Sequence, residues 1–193
     1  MTITLAFDSF KGSLTSEEVA EAFQDGLLDI LPHCTVNKVC IADGGEGTVE
    51  ALVDTLNGEW NEAMASDPLG RNIKARYGID RHEHTAILEM ATASGLPLLT
   101  PEERNPMKTS TYGTGQLIAH AIGEGCRKFL IGIGGSATND GGTGMLRALG
   151  FRFTDKEGHE LIGGGEILEH IHKIDNTLAL PQLNECQFTV ACD

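Results

Sequence analysis

The densest group of residues that could bind a ligand is a glycine-rich loop at residues 132–144, Gly-Ile-Gly-Gly-Ser-Ala-Thr-Asn-Asp-Gly-Gly-Thr-Gly. Glycines let the backbone approach a bound molecule closely. The loop also carries hydroxyl, amide and carboxylate side chains, which suit an anion together with a metal ion or a polyol. Its candidate binding residues are Gly134, Gly135, Ser136, Thr138, Asn139 and Asp140.

The same loop also matches the G-x-G-x-x-G/A pattern of dinucleotide-binding turns, through Gly132, Gly134 and Ala137. Asp155 follows at about the spacing expected of the ribose-binding acid. A dinucleotide turn would run directly into a long helix, whereas four more glycines follow here. A dinucleotide-dependent oxidoreductase is therefore the weaker of the two interpretations.

A second candidate loop, Asp8-Ser9-Phe10-Lys11-Gly12-Ser13, joins a predicted strand over residues 2–7 to a predicted helix with a Thr15/Glu18 capping box. A carboxylate, a lysine and free amides at a helix N-terminus can together hold a transferring phosphoryl group. The segment is not a Walker P-loop, because the Gly-Lys order is reversed. A purely structural Asp–Lys ion pair is the alternative.

A third loop, Asp43-Gly44-Gly45-Glu46, joins a predicted strand at 36–41 to a predicted helix at 48–56. One or two carboxylates completed by substrate phosphates are the usual protein site for Mg²⁺. The alternative is that acidic residues stabilise the helix N-terminus.

The order of these elements predicts an α/β fold. Two successive strand-loop-helix units indicate a parallel sheet with ligand loops at the carboxyl ends of its strands. After Trp60 the pattern changes to alternation at residues 73–79, typical of antiparallel strands, and we place a domain boundary at residue 62. Further elements are predicted at 85–90, 111–124, 129–133, 145–149 and 188–192, with a helix over 167–174.

Composition excludes several classes of function. The chain has 14 Lys+Arg against 28 Asp+Glu, a formal net charge of -14. This excess of acid argues against nucleic acid or an acidic membrane surface as a partner. Five cysteines without a C-x-x-C pair support neither a disulfide framework nor a zinc ribbon. With no signal-peptide pattern and no apolar run long enough to span a bilayer, we expect a cytoplasmic protein.

Taken together, the three loops closely resemble the type-1 glycerate kinase family. The resemblance rests on Asp-Ser-Phe-Lys at residues 8–11, Ala-Asp-Gly-Gly-Glu-Gly-Thr at 42–48 and Gly-Ile-Gly-Gly-Ser-Ala-Thr-Asn-Asp-Gly-Gly at 132–142. Shorter stretches agree, among them Pro-Leu-Gly at 68–70, Gly-Thr-Gly at 113–115 and Ala-Cys-Asp at 191–193. One departure is Phe7, where the family usually has proline.

The resemblance implies an ATP-dependent kinase that phosphorylates D-glycerate, with Mg²⁺ as cofactor and 2-phosphoglycerate as the product it favours. In that hypothesis Lys11 stabilises transition-state charge, Asp43 and Glu46 hold Mg²⁺, and either Asp8 or Asp193 is the base. Ser9, Gly44, Gly45 and the loop from Gly134 to Asp140 bind substrate or ATP. The residues alone do not identify the hydroxyl that reacts. They do not determine the oligomeric state either, so a homo-oligomer is possible.

The resemblance also implies two α/β domains, a Rossmann-like domain with a parallel sheet interrupted by a second domain with a mixed sheet. Members of the family are nearly twice as long as this chain. Residues 1–62 would then be the incomplete Rossmann-like domain, and residues 63–193 a second domain truncated at its C-terminus. A catalytically inactive fragment of such a kinase is therefore an alternative to an active enzyme.

Overall fold

The structure of the protein, a computed structural model, describes residues 1–8, 10, 13–41, 47–56 and 58–192. The helices and strands, in chain order, are β1 Thr2–Phe7, α1 Ser16–Ile30, β2 Thr35–Cys40, α2 Thr48–Thr55, β3 Glu59–Ser66, β4 Asn72–Asp80, β5 Thr85–Glu89, α3 Ala91–Ser94, α4 Tyr112–Gly123, β6 Lys128–Gly132, α5 Thr143–Ala148, β7 Arg152–Thr154, β8 Lys173–Asp175 and β9 Gln187–Ala191. Short 3-10 helices lie at Leu96–Leu98, Pro101–Glu103, Gly165–His170 and Pro181–Glu185.

The first unit is a two-stranded parallel sheet of β1 and β2, with Thr2 opposite Thr35 and Phe7 opposite Cys40. Helix α1 begins with the predicted capping box: the Glu18 amide donates to the Thr15 hydroxyl, and the Thr15 amide donates to the Glu18 carboxylate. Val19 is buried, whereas Phe23 is 55% exposed. The apolar spacing therefore predicted the helix correctly but not the burial of its whole apolar stripe.

The second sheet has five strands in the order β3-β4-β5-β6-β9. Strand β4 is antiparallel to β3 and β5, while β5, β6 and β9 are mutually parallel. Four of the five strands thus run in one direction. The fold class predicted from the sequence, α/β with a parallel sheet and a mixed sheet, is confirmed.

The main core lies on this second sheet. Helix α4 packs its buried Leu117 and Ile118 with Tyr77 and Phe129 from the strands. A smaller cluster of Val49, Val53 and Ile87 packs α2 onto the same sheet. Helix α2 follows β2 in the chain, and it packs on the second sheet.

Strand β3 and the segment at residues 165–175 are among the elements that differ from the sequence-based predictions. Strand β3 was not predicted, because its buried positions include Ala63 and Ala65, and alanine is a weak β-former. The predicted boundary at residue 62 falls within β3, all of which pairs with β4. The division into domains at 1–62 and 63–193 stays a prediction.

The helix predicted over 167–174 is instead a 3-10 helix at Gly165–His170 followed by strand β8. The amides of Gly165 and Glu166 donate to the carbonyls of Pro106 and Met107, at 3.2 and 3.0 Å. These long-range hydrogen bonds within the chain hold the start of the segment against residues 106–107. The isoleucines whose spacing predicted one helix are therefore divided between a 3-10 helix, which contains Ile167, and strand β8, which contains Ile174.

No helix among the described residues is long and apolar enough to cross a membrane. The described cysteines Cys34, Cys126, Cys186 and Cys192 are free thiols.

Candidate functional site

The carboxyl ends of β3, β5, β6 and β9 lie at one edge of the five-stranded sheet, because these strands run in the same direction. Ligand sites of parallel sheets lie at this edge. The glycine-rich loop follows β6 there. Strand β9 pairs with β6, Ala191 opposite Gly132, so the end of β9 lies beside the start of that loop.

The N-terminus of α2 also reaches this edge. The Val49 amide donates to the carboxylate of Glu89, the last residue of β5, over 3.0 Å. The loop that carries Asp43, Gly44, Gly45 and Glu46 ends at Gly47, just before α2. Gly47 therefore lies two residues before the amide that bonds β5, the strand next to β6.

Asp8 follows β1 directly, and Ile41 follows β2. Because β1 and β2 are parallel and in register, Asp8 and the loop at residues 42–46 start from the same edge of the first sheet. The Ser16 hydroxyl donates to the Phe7 carbonyl over 2.5 Å, which ties the start of α1 to the end of β1. The segment from Asp8 to Thr15 thus connects a strand end to a helix N-terminus, as predicted.

The glycine-rich loop is held in place by backbone hydrogen bonds. The Leu96 amide donates to the Gly135 carbonyl over 2.9 Å, and the Ala137 amide donates to the Ser94 carbonyl over 2.8 Å. The Thr109 hydroxyl donates to the Ala137 carbonyl over 2.7 Å. Bonds on both sides fix the backbone of residues 135–137, which is a requirement for a preorganised binding loop.

Glycine is required by the backbone conformation at three loop positions. Gly135, Gly141 and Gly142 have φ angles of 70°, 61° and 78°, in the left-handed region. Gly142 directly precedes α5, so the chain reverses between Asp140 and the helix. This geometry explains why glycines continue after the dinucleotide-like pattern, and α5 has only six residues where a dinucleotide turn needs a long helix.

Asp140 is buried, and its carboxylate accepts hydrogen bonds from the chain itself. The donors are the amides of Thr111, Gly142 and Gly144, at 2.8, 3.0 and 3.1 Å, and the Thr111 hydroxyl at 2.9 Å. The residue is only 1% exposed. Asp140 therefore joins the glycine-rich loop to the N-termini of α4 and α5.

The neighbouring predicted residues are more accessible. Asn139 is exposed, and Ser136 and Thr138 are half-buried. The hydroxyls of Ser136 and Thr138 lie 2.9 Å apart, and the Thr138 amide donates to the Ser136 hydroxyl over 3.1 Å. These three side chains and the exposed Gly135 offer polar groups at the carboxyl edge of the sheet.

Several predicted site residues lie outside the part of the chain that the structure describes: Ser9, Lys11, Asp43, Gly44, Gly45, Glu46 and Asp193. Their roles stay predictions. Among the described residues no group of three or more His, Cys, Asp or Glu side chains is placed to hold a metal ion.

Glu89 is a residue that the sequence did not assign to the site. Its carboxylate joins the end of β5 to the N-terminus of α2. The signal available was its position near the end of the element predicted at residues 85–90.

Comparisons with known proteins agree with this arrangement. The model of the glycerate kinase family matches residues 3–193. The chain is 47% identical over 193 residues to a glycerate kinase of Haemophilus influenzae and 45% identical over 193 residues to a glycerate 2-kinase of Escherichia coli. Each alignment covers 100% of this chain and 51% of the relative.

The crystal structure of a Salmonella typhimurium LT2 protein assigned as glycerate kinase 2 superposes with a TM-score of 0.84 at 45% identity. That match covers 100% of this chain and 52% of the other. The chain spans about half the length of the relatives it matches. Since the family model extends over nearly all of its residues, the chain belongs to the glycerate kinase family.

Proposed function

We propose that this chain supplies the phosphoryl-transfer loops of an ATP-dependent kinase that converts D-glycerate to 2-phosphoglycerate. The observation that carries the proposal is a pair of contacts near the carboxyl end of β5. The start of α2 is bonded to Glu89, the last residue of β5, and the glycine-rich loop is bonded to Ser94 and Leu96, shortly after that strand. The printed name of the Escherichia coli relative, glycerate 2-kinase, supports the 2-position as the acceptor.

Phosphoryl transfer depends on positioning and charge neutralisation more than on covalent chemistry by the protein. In the proposed site Lys11 stabilises the charge of the transferring group, and amides of the glycine-rich loop, with Ser136, Thr138 and Asn139, bind phosphate or glycerate. Either Asp8 or Asp193 accepts the proton of the reacting hydroxyl. These residues follow β1, β6 and β9, all at carboxyl ends of strands.

The predicted donor set suits Mg²⁺, because it consists of carboxylate oxygens on a glycine-containing loop. Asp43 and Glu46 would hold the ion, which when bound neutralises phosphate charge. Glu89 lies at the C-terminal end of that loop and contributes a further carboxylate to the neighbourhood. ATP would bring its phosphates to the same edge, where the -14 net charge of the chain is offset by Lys11 and the metal.

The test is release of ADP, measured by a coupled assay with D-glycerate, ATP and Mg²⁺. Two proteins are compared: this chain alone, and this chain joined to the C-terminal half of the Escherichia coli glycerate 2-kinase. Glycerate-dependent turnover by the joined protein supports the proposal. Turnover by the chain alone eliminates the inactive-fragment alternative, and absence of turnover in a folded joined protein contradicts the proposed function.

A further inference from the structure

A cavity of about 320 Å³ lies at the other end of the sheet's carboxyl edge, beside the turn that joins β3 to β4. Its walls include Asp67, Lys108, Ser110, Tyr112 and Arg147. The volume is enough for a small organic or inorganic anion. The motifs of the three candidate loops assign no role to any of these residues. One of them contacts the glycine-rich loop: the Ser110 hydroxyl lies 3.4 Å from the Asp140 carboxylate.

Arg147 is the most informative residue of this cavity. Five of the chain's seven arginines form ion pairs with carboxylates, and in the described part of the chain Arg104 and Arg147 are the exceptions. Arg104 is exposed, so water solvates it, whereas Arg147 is half-buried. In a chain of net charge -14, an arginine without an acidic partner is unusual.

The hydrogen bonding of Arg147 also indicates a missing partner. Its Nε is buried and has no acceptor among the described residues. Its guanidinium lies over the Tyr112 ring, with Cζ 5.5 Å from the ring centroid, a contact that orients the group without accepting its hydrogens. Buried donors are normally satisfied, so the Nε–H of Arg147 is a donor whose acceptor does not come from the described residues.

Lys108 adds a second cation to the same cavity. It is exposed and forms no ion pair within the described ranges. The carboxylate of Asp67 also lines the cavity, but it is buried, pairs with Arg71 and accepts from the Leu69 and Arg71 amides. Asp140 likewise already bonds the N-terminus of α4 at Thr111. The charge left without a partner at the cavity is therefore that of Lys108 and Arg147.

We propose that this cavity is a binding site for a small oxyanion, a carboxylate or a phosphate, held by Arg147 and Lys108. A guanidinium presents a planar set of donors that matches such oxygens in pairs, and lysine adds a point charge. The hydroxyls of Ser110 and Tyr112 line the same space and can donate to further oxygens. This inference stands without the proposed kinase activity, since it concerns binding in the absence of ATP.

The experiment is a titration of the protein, labelled with ¹⁵N-arginine, followed through the Nε–H signal of Arg147. A buried Nε–H exchanges slowly with water, so its signal stays visible at neutral pH, and Arg147→Lys assigns it. The probes are inorganic phosphate and D-glycerate, each without ATP or Mg²⁺, with KCl at matched ionic strength as the reference. We expect a saturable shift with at least one oxyanion and none with KCl.

A matched pair of lysine variants tests whether the site is built as described. Lys108→Met should weaken the binding about tenfold, the loss of one charge-assisted contact. Lys173→Met, which removes another exposed lysine without an ion pair in the described part of the chain, should leave it unchanged. Both lysines are exposed, so neither variant threatens folding.

The two probes identify the source of the oxyanion. A shift with D-glycerate makes the ligand a carboxylate, and a shift with phosphate alone makes it a phosphate; both support the site. No shift beyond that of KCl with either probe, or equal affinity in the Lys108→Met and Lys173→Met variants, would overturn the proposal.

Discussion

Asp140 and Asn139 are adjacent in the glycine-rich loop, yet their surroundings differ. Asp140 is buried and accepts four hydrogen bonds shorter than 3.2 Å from backbone and hydroxyl groups, while Asn139 is exposed. The sequence predicted both as ligand-binding residues, because a motif reveals residue type but not burial. The structure indicates that the carboxylate of Asp140 organises the loop, whereas the Asn139 amide is accessible to a ligand.

The first prediction compares these two residues. Asp140→Asn replaces an acceptor oxygen with a donor that faces backbone amides, so we expect the free energy of unfolding to fall by about 3 kcal/mol. Asn139→Ala should change it by less than about 0.5 kcal/mol. Urea denaturation measures both. Equal stabilities of the two variants would show that Asp140 does not organise the loop.

The second prediction concerns Lys11. If Lys11 stabilises charge in the transition state, Lys11→Met should lower kcat about a hundredfold in the joined protein described above. Lys38→Met is the control, because Lys38 lies on β2 and pairs only with the exposed Glu21 at 3.4 Å. Steady-state ADP release measures both variants, and a Lys11→Met kcat within about threefold of the parent rules out this role.

At the scale of elements, the position of α4 depends on two glycines. A Cβ on Gly113 would lie 1.8 Å from the Ser66 carbonyl oxygen, and a Cβ on Gly115 would lie 2.3 Å from that of Met145. The helix therefore approaches β3 and α5 at backbone contact. From the sequence these glycines reduce the helical propensity of residues 111–124, and only the packing explains their presence.

The third prediction uses this difference within one helix. Gly115→Ala should destabilise the protein by about 1–3 kcal/mol, because overpacking against α5 outweighs the higher helix propensity of alanine. Gly123→Ala, at the end of the same helix with open space around its Cβ, should be neutral or stabilising by up to about 1 kcal/mol. Thermal or urea denaturation compares them. The packing argument fails if Gly115→Ala is as stable as Gly123→Ala.

The fourth prediction concerns the antiparallel pair of β7 and β8. A hydrogen bond from the Thr177 amide, 2.9 Å from the carboxylate, and the Arg152 guanidinium at 3.1 Å lower the pKa of Asp175 to about 2. Because this pKa lies below the unfolded value of about 3.9, the stabilisation is complete above about pH 4 and is lost as the pH falls towards 2.

Asp175→Asn should therefore lower stability at pH 7, and the difference from the parent should disappear near pH 2. Asp25→Asn is the control, since Asp25 lies on the exposed side of α1 without a hydrogen bond in the described ranges. Urea denaturation over this pH range measures the effect. A difference that persists unchanged at pH 2 would exclude the carboxylate charge as its cause.

The helices and strands that the sequence predicted well have strong local signals. Helix α1 has a capping box, and β5 and β6 are apolar runs bounded by turns. Strand β3 buries small alanines, and β7 and β8 have only three residues each, so their pairing depends on contacts distant in the chain. Local patterns cannot specify such elements.

At the scale of the whole molecule, the sheet topology brings segments far apart in the chain to one edge of the five-stranded sheet. The carboxyl ends of β5, β6 and β9 lie side by side, and α2 brings the end of its preceding loop to β5. The two strand-loop-helix units predicted the parallel pairing of β1 and β2, but not the parallel arrangement of β5, β6 and β9. The Arg147 cavity was not predictable, because its walls come from four separate segments of the chain.

The central claim is that these loops transfer a phosphoryl group from ATP to D-glycerate. The most direct test is ³¹P NMR of a mixture of the joined protein, ATP, Mg²⁺ and D-glycerate. The account predicts one new phosphomonoester signal, coupled to the single proton on C2, that grows in step with ADP. Formation of ADP with free phosphate alone, or a signal coupled to the two protons of C3, would contradict it.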